Sequence, residues 1–225
     1  MTEAAEVERP AWRISFRLLM GVALGLALIA LLAGRYVYRR YGTYTPLALA
    51  HVPADMRYRA RVELSDGPRK TALQPLLNAL DPRHQRLPLM YRKLGVSGET
   101  TTREVAFGTG PEPWDFVVVL GLQLQAGTGL SAAKALCEAL ETDGIAAQAT
   151  EIGCLLPEGG LVAGTPDGAI VLTSRAALVK GLLGAPDIGD RLGFWGPSER
   201  GAAPEVGELG REASTLAQRI SAKYP

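Results

Sequence analysis

Phe116-Val117-Val118-Val119-Leu120 is a continuous run of β-branched and aromatic residues. With no polar position to interrupt it, such a run marks a central strand buried on both faces. The rest of the fold arranges around it. Upstream, Gly108-Thr109-Gly110-Pro111 spells a turn, and Thr102 to Phe107 reads as the strand ahead of it. Further back, Arg57-Tyr58-Arg59-Ala60-Arg61-Val62-Glu63-Leu64 alternates, with Tyr58, Ala60, Val62 and Leu64 on one face and charges on the other. That is the period of a half-buried strand. Ser65-Asp66-Gly67-Pro68 then turns the chain. Thr71 and Gln74 have capping-box spacing, Asp81-Pro82 restarts a helix and Gly95 ends it, so 71–95 holds short helical pieces and not one rod.

Downstream, Ser131 is placed to cap a helix from Ala132 to Thr142, whose Ala133, Leu136, Cys137 and Leu140 recur at helical spacing. Ile145 to Ile152 returns as a strand. Leu161 to Ser174 reads as a hairpin around Pro166-Asp167-Gly168, and Arg175 to Leu183 as a short helix. Val206, Leu209, Ala213, Leu216 and Ile220 fall on one stripe, so Pro204 to Tyr224 is an amphipathic helix. The order strand, helices, strand, strand, helix, strand spells βαββαβ. It implies an α+β sandwich of ferredoxin-like type with an added hairpin and a C-terminal amphipathic helix. Counting two short helices, the first five elements also resemble, in element order alone, the small POTRA-like modules of membrane assembly proteins.

The N-terminal region carries a different kind of run. Leu18 to Gly34, LLMGVALGLALIALLAG, has no charge and would rise about 25 Å as a helix, against a hydrocarbon core of about 30 Å. Trp12 and Phe16 before it, and Tyr36, Tyr38, Tyr41 and Tyr44 after it, suit the headgroup level. A signal peptidase cutting after Ala33 or Gly34 would meet Leu31 or Leu32 where a small residue is needed. The expectation is therefore an uncleaved single-pass anchor in the cytoplasmic (inner) membrane of a bacterium. It divides the chain into a cytoplasmic tail 1–17, a transmembrane segment 18–38, a juxtamembrane linker 39–55, an extracytoplasmic α+β domain 56–183, a Gly/Pro-rich loop 184–203 and a C-terminal helix 204–225. Arg9, Arg13 and Arg17 balance Arg35, Arg39 and Arg40. The difficulty of translocating the first three puts the N-terminus inside and the domain in the periplasm. Gly21 and Gly25 form a GxxxG spacing, either a face for homodimer pairing or a reflection of a Gly- and Ala-rich chain.

Beyond Thr45 the chain carries 18 Lys and Arg against 20 Asp and Glu, a balance that leaves no footprint for nucleic acid. Residues 45–103 hold ten basic and five acidic groups, while 104–225 hold eight and fifteen. A basic first half meets an anionic surface, or is simply solvated. The two cysteines, Cys137 and Cys154, form either a disulfide or a pair of small buried thiols.

Chemical signals are few. His51 and His84 are the only histidines and stand in no ligand spacing with the cysteines, so no metal or cofactor site is expected. Gly127-Thr128-Gly129 lacks the third glycine of a phosphate cradle. Ser131-Ala132-Ala133-Lys134 has the S-x-x-K spacing by which penicillin-binding enzymes let a lysine face an activated serine. The companion motifs are imperfect: Ser65-Asp66-Gly67 and Lys70-Thr71-Ala72 both precede the serine. The reading is a non-catalytic interaction or scaffold module in an envelope assembly. Its candidate contacts with a protein partner are Arg57, Arg59 and Arg61, also readable as a solvated edge, and Phe194-Trp195, also readable as core. The alternatives are an envelope hydrolase or transpeptidase using Ser131 and Lys134, and a small-ligand sensor with a pocket lined by the sheet.

Overall fold

A computed structural model describes residues 16–41, 48–96, 102–123, 128–183 and 205–224. The chain falls into two units, Met1–Thr43 and Tyr44–Pro225. The first holds a 26-residue helix, α1 (Phe16–Tyr41). The membrane expectation is corrected here: among the described residues, no helix is long and apolar enough to cross a membrane. The uncharged run Leu18–Gly34 is 17 residues, about 25 Å of helical rise against about 30 Å of hydrocarbon. Arg17 and Arg35 bound the uncharged run on either side. The transmembrane segment, the inner-membrane location, the N-terminus-inside orientation and the extracytoplasmic placement of the domain all fall with it.

The second unit is built on one seven-stranded sheet. Its strands are β1 (Tyr58–Glu63), β2 (Thr102–Thr109), β3 (Phe116–Leu122), β4 (Gln148–Ala149), β5 (Gly153–Leu155), β6 (Leu161–Gly164) and β7 (Ala169–Thr173). Helices α2 (Gly67–Leu80) and α3 (Arg86–Lys93) join β1 to β2, α4 (Thr128–Thr142) joins β3 to β4, and α5 (Val206–Lys223) closes the chain. The spatial order is β1-β2-β3-β7-β6-β5-β4, antiparallel at every junction.

That order corrects the ferredoxin-like expectation. A split βαβ unit carries the chain across an intervening strand. Here α2 and α3 return it to the immediate neighbour of β1, with Ala60 opposite Phe107. The result is two meanders, β1–β2–β3 and β4–β5–β6–β7, joined where Val119 of β3 faces Val171 of β7.

Alternation sorts the side chains of the sheet. Val105, Phe107, Val118, Leu120 and Ile170 face the helices and pack with Leu73, Leu76, Met90, Leu216 and Ile220 in the main core. Ala106, Val117, Val119, Ala163 and Val171 face the other way, under the lead-in residues Ala48, Val52 and Met56 and under Val179. β3 is buried at every position, as its run of apolar residues demands. Gly108 makes room for the lead-in, since a Cβ there would stand 2.7 Å from Val52 Cγ1.

Local boundaries differ from expectation in instructive ways. α2 starts at Gly67 under Asp66, whose carboxylate accepts the Arg69 N–H at 3.3 Å, so the Thr71 spacing is not the cap. α4 starts at Thr128, which places Ser131 inside the helix. The expected strand 145–152 shrinks to β4, after which the chain reverses into β5. The expected helix 175–183 is a single 3-10 turn, Ala176–Val179. α4 packs closely on the β6–β7 hairpin because Gly129 and Gly164 have no side chains. A Cβ on Gly164 would fall on the Gly129 carbonyl, and one on Gly129 on the Thr165 carbonyl.

Candidate functional site

The largest exposed aromatic described on this domain is Trp114, with 62% of its surface open. It stands at the tip of the β2–β3 hairpin in Gly110-Pro111-Glu112-Pro113-Trp114-Asp115. The tip is braced on several sides. Gly110 N–H donates to the Asp115 carbonyl at 2.9 Å, and Asp115 N–H donates to the Glu112 carbonyl at 3.0 Å. The buried Asp115 carboxylate accepts from Arg175 at 2.5 Å. Arg219 of α5 reaches the Asp115 carbonyl at 3.5 Å, and Lys223 the Ser174 carbonyl at 3.0 Å. Ser174 Oγ accepts the Phe116 N–H at 3.0 Å. Two prolines and this bracing hold the backbone that carries the exposed indole, so the turn has little freedom left to lose on binding.

A second polar cluster lies buried beneath the lead-in segment. His51, 1% exposed, ends the 3-10 turn Ala48–His51. Its Nε2 is 3.0 and 2.9 Å from the two carboxylate oxygens of Asp167, and its Nδ1 is 2.6 Å from the Leu182 carbonyl. A carbonyl only accepts, so Nδ1 donates; Nε2 meets a carboxylate, so the ring carries both protons. The Thr165 hydroxyl donates to the same carboxylate. Burial pushes the Asp167 carboxyl up, but the bonds from His51 and Thr165 and the imidazolium charge outweigh it and hold the group below its ordinary value. Both nitrogens of His51 are thus engaged, which leaves none to act as a general base. At the other end of the turn, buried Glu104 accepts from Ala48 N–H at 2.8 Å and from Arg61 Nε. Burial raises its carboxyl above the ordinary value despite those bonds. These two carboxylates fasten residues 48–51 to the sheet.

The sequence candidates are dispersed. Arg57 is exposed just ahead of β1. Arg59 donates to the Leu49 carbonyl at 3.3 Å, and Arg61 divides itself between Glu104 and Glu63, so these side chains serve the fold. Phe194 and Trp195 lie outside the described residues. Gly21 and Gly25 on α1 have open space where a Cβ would stand. Cys137 and Cys154 form a disulfide, S–S 2.06 Å, that ties α4 to β5. Ser131 and Lys134 are both exposed on α4 and no hydrogen bond joins them. His84 is exposed in a left-handed turn, φ 53°. Gly129 meets the hairpin backbone, leaving no space for a phosphate above it.

Between the sheet and the four helices is a small apolar cavity of about 30 Å³, lined by Leu80, Val118, Leu136, Leu140, Ile170 and Tyr224 among others. A cavity that accepts benzene measures about 150 Å³. This one is far too small for such a guest without parting the helices. Among the described residues, no group of three or more His, Cys, Asp or Glu is placed to hold a metal ion.

Sequence reading missed Trp114 because the turn signal was read as ending at Pro111. The stretch Pro111-Glu112-Pro113-Trp114 held the clue: an aromatic directly after two turn-forming prolines has no core position to fill. No family model, curated protein or solved structure matches this chain.

Proposed function

We propose that residues 44–225 form a non-catalytic protein-interaction domain whose contact centres on Trp114. One observation carries this reading: an indole 62% exposed on a turn braced by Arg175, Arg219 and two prolines. Binding hot spots are enriched in tryptophan, and an anchor already held in place loses less entropy on docking. The buried His51–Asp167 and Arg61–Glu104 pairs give the platform its rigidity. Among the described residues, the alternative small-ligand reading meets a cavity of 30 Å³, and Ser131 and Lys134 share a spacing without a hydrogen bond between them.

The test compares the full chain with its Trp114→Ala variant as paired baits. The substitution removes an exposed ring, so stability should stay within about 0.5 kcal/mol of wild type. A partner recovered by wild type and lost with the variant supports the proposal. Identical recoveries, or a turnover abolished by changing one polar residue, would sink it.

A further inference from the structure

Residues 48–56 lie over the face of the sheet turned away from the helices, and none of them is part of a strand. The backbone bonds of this segment close on the segment itself: Val52 N–H donates to the Leu49 carbonyl at 3.1 Å, and Met56 N–H to the Pro53 carbonyl at 3.4 Å. Side chains hold it down. Ala48 N–H donates to the Glu104 carboxylate at 2.8 Å, and Arg59 donates to the Leu49 carbonyl at 3.3 Å. His51 meets Asp167 at 2.9 and 3.0 Å and the Leu182 carbonyl at 2.6 Å. Val52 and Met56 sit where Gly108 has no side chain, and Ala106, Val117 and Val119 lie fully buried in the same cluster.

Two features make this segment separable from the sheet. No rung of the ladder breaks when it lifts, because the rungs run from strand to strand. The sheet side of each fastener also keeps a partner: Glu104 keeps Arg61 on the neighbouring strand, and Asp167 keeps Thr165 in its own turn. A buried acceptor left unpaired is what makes such an opening expensive. Here each carboxylate meets water with one bond already made. The cost that remains is apolar: Ala48, Val52, Met56 and the strip below them, far fewer residues than the helices bury on the other face. Regions with few buried apolar contacts open below the free energy of global unfolding.

We infer that residues 48–56 are a strap that lifts from the sheet as a unit while the rest of the domain stays folded, covering and uncovering an apolar strip along β2 and β3. Along the chain it is the first described part of the domain reached from residues 1–43. The inference does not rest on the Trp114 surface, which belongs to the β2–β3 turn.

Val118 and Val119 are neighbours on β3 that face opposite ways, Val118 into the core under the helices and Val119 into the cluster that holds Ala48, Val52 and Met56. Val118→Cys and Val119→Cys are made singly in the full chain, with the native disulfide left intact, and labelled with a soluble thiol reagent without reductant. Each rate is referred to the unfolding free energy of its own variant. A lifting strap labels Val119→Cys roughly tenfold faster or more, with little response to low urea. Val118→Cys should follow the steep urea slope of global unfolding. Hydrogen exchange of the unaltered chain supplies a reading that needs no variant: the Ala48 amide should exchange at a lower free energy than the amides of Val118 and Leu120. Equal labelling at the two positions with one urea slope would overturn the inference. So would an Ala48 amide as protected as those of β3, or labelling of Val119→Cys while the Ala48 amide stays closed.

Discussion

Removing the carboxylate of Asp167 is the sharpest test of how the platform is held. Asp167 is fully buried, receives two contacts from His51 at 2.9 and 3.0 Å, and accepts the Thr165 hydroxyl. Asp167→Ala leaves a buried imidazolium facing a void. Breaking a buried pair from one side costs about 3–5 kcal/mol. For a domain of this size that lowers the melting temperature by on the order of 10 °C. Asp167→Asn behaves differently. The amide donates to Nε2 of a neutral ring, its oxygen still accepts from Thr165, and Nδ1 still donates to Leu182, so every group keeps a partner. Its cost at pH 7 should be about 1 kcal/mol. The pH dependence follows from the lowered value of Asp167 in the folded state. Its contribution is fully present above the unfolded carboxyl value of about 3.9 and is lost as pH falls through the lower, folded one. Denaturant unfolding at pH 7 and pH 3 reads both effects. An Asp167→Ala variant within about 1 kcal/mol of wild type at pH 7, or an Asn variant as damaged as the Ala variant, would refute the reasoning.

Three further outcomes are expected. Glu104 has the opposite sign: its contribution is fully present below the unfolded carboxyl value of about 4.3 and is lost as pH rises through its raised folded value. Glu104→Gln should therefore gain on wild type between pH 4 and 7 in the same unfolding assay, and parallel curves would contradict it. Reducing Cys137–Cys154, or replacing both with alanine, opens a loop of sequence separation 17 and should cost about 3 kcal/mol in denaturant titrations. Gly164→Ala sets a methyl against the Gly129 backbone and should cost about 1–3 kcal/mol, read as a lower urea midpoint with an unchanged slope.

What could be read from the sequence was whatever nearby residues decide. The Phe116–Leu120 run became the fully buried strand third from one edge of the sheet, and Arg57–Leu64 alternates as β1 does. The Leu209–Ala213–Leu216–Ile220 stripe is the buried face of α5. Strand order was not legible, because one helical excursion serves equally to cross a strand or to return beside it. His51 and Asp167 lie 116 residues apart, and each alone reads as an ordinary turn residue. Ser131 looks like a cap because the periodic pattern starts there, whereas the helix already runs from Thr128, with Gly129 set against the hairpin backbone. The run from Leu18 to Gly34 falls short of the hydrocarbon thickness by itself, and the aromatic flanks are counted on for the missing length, whereas among the described residues no helix is long and apolar enough to cross a membrane.

The interaction reading faces its most direct trial through a photoreactive residue placed at Glu112, two positions from the indole and exposed to solvent. Irradiation of cells making the full chain should yield one discrete adduct, and the same probe in a Trp114→Ala background should yield none. An adduct that persists without the tryptophan, or no adduct in either background, would contradict a contact centred on Trp114.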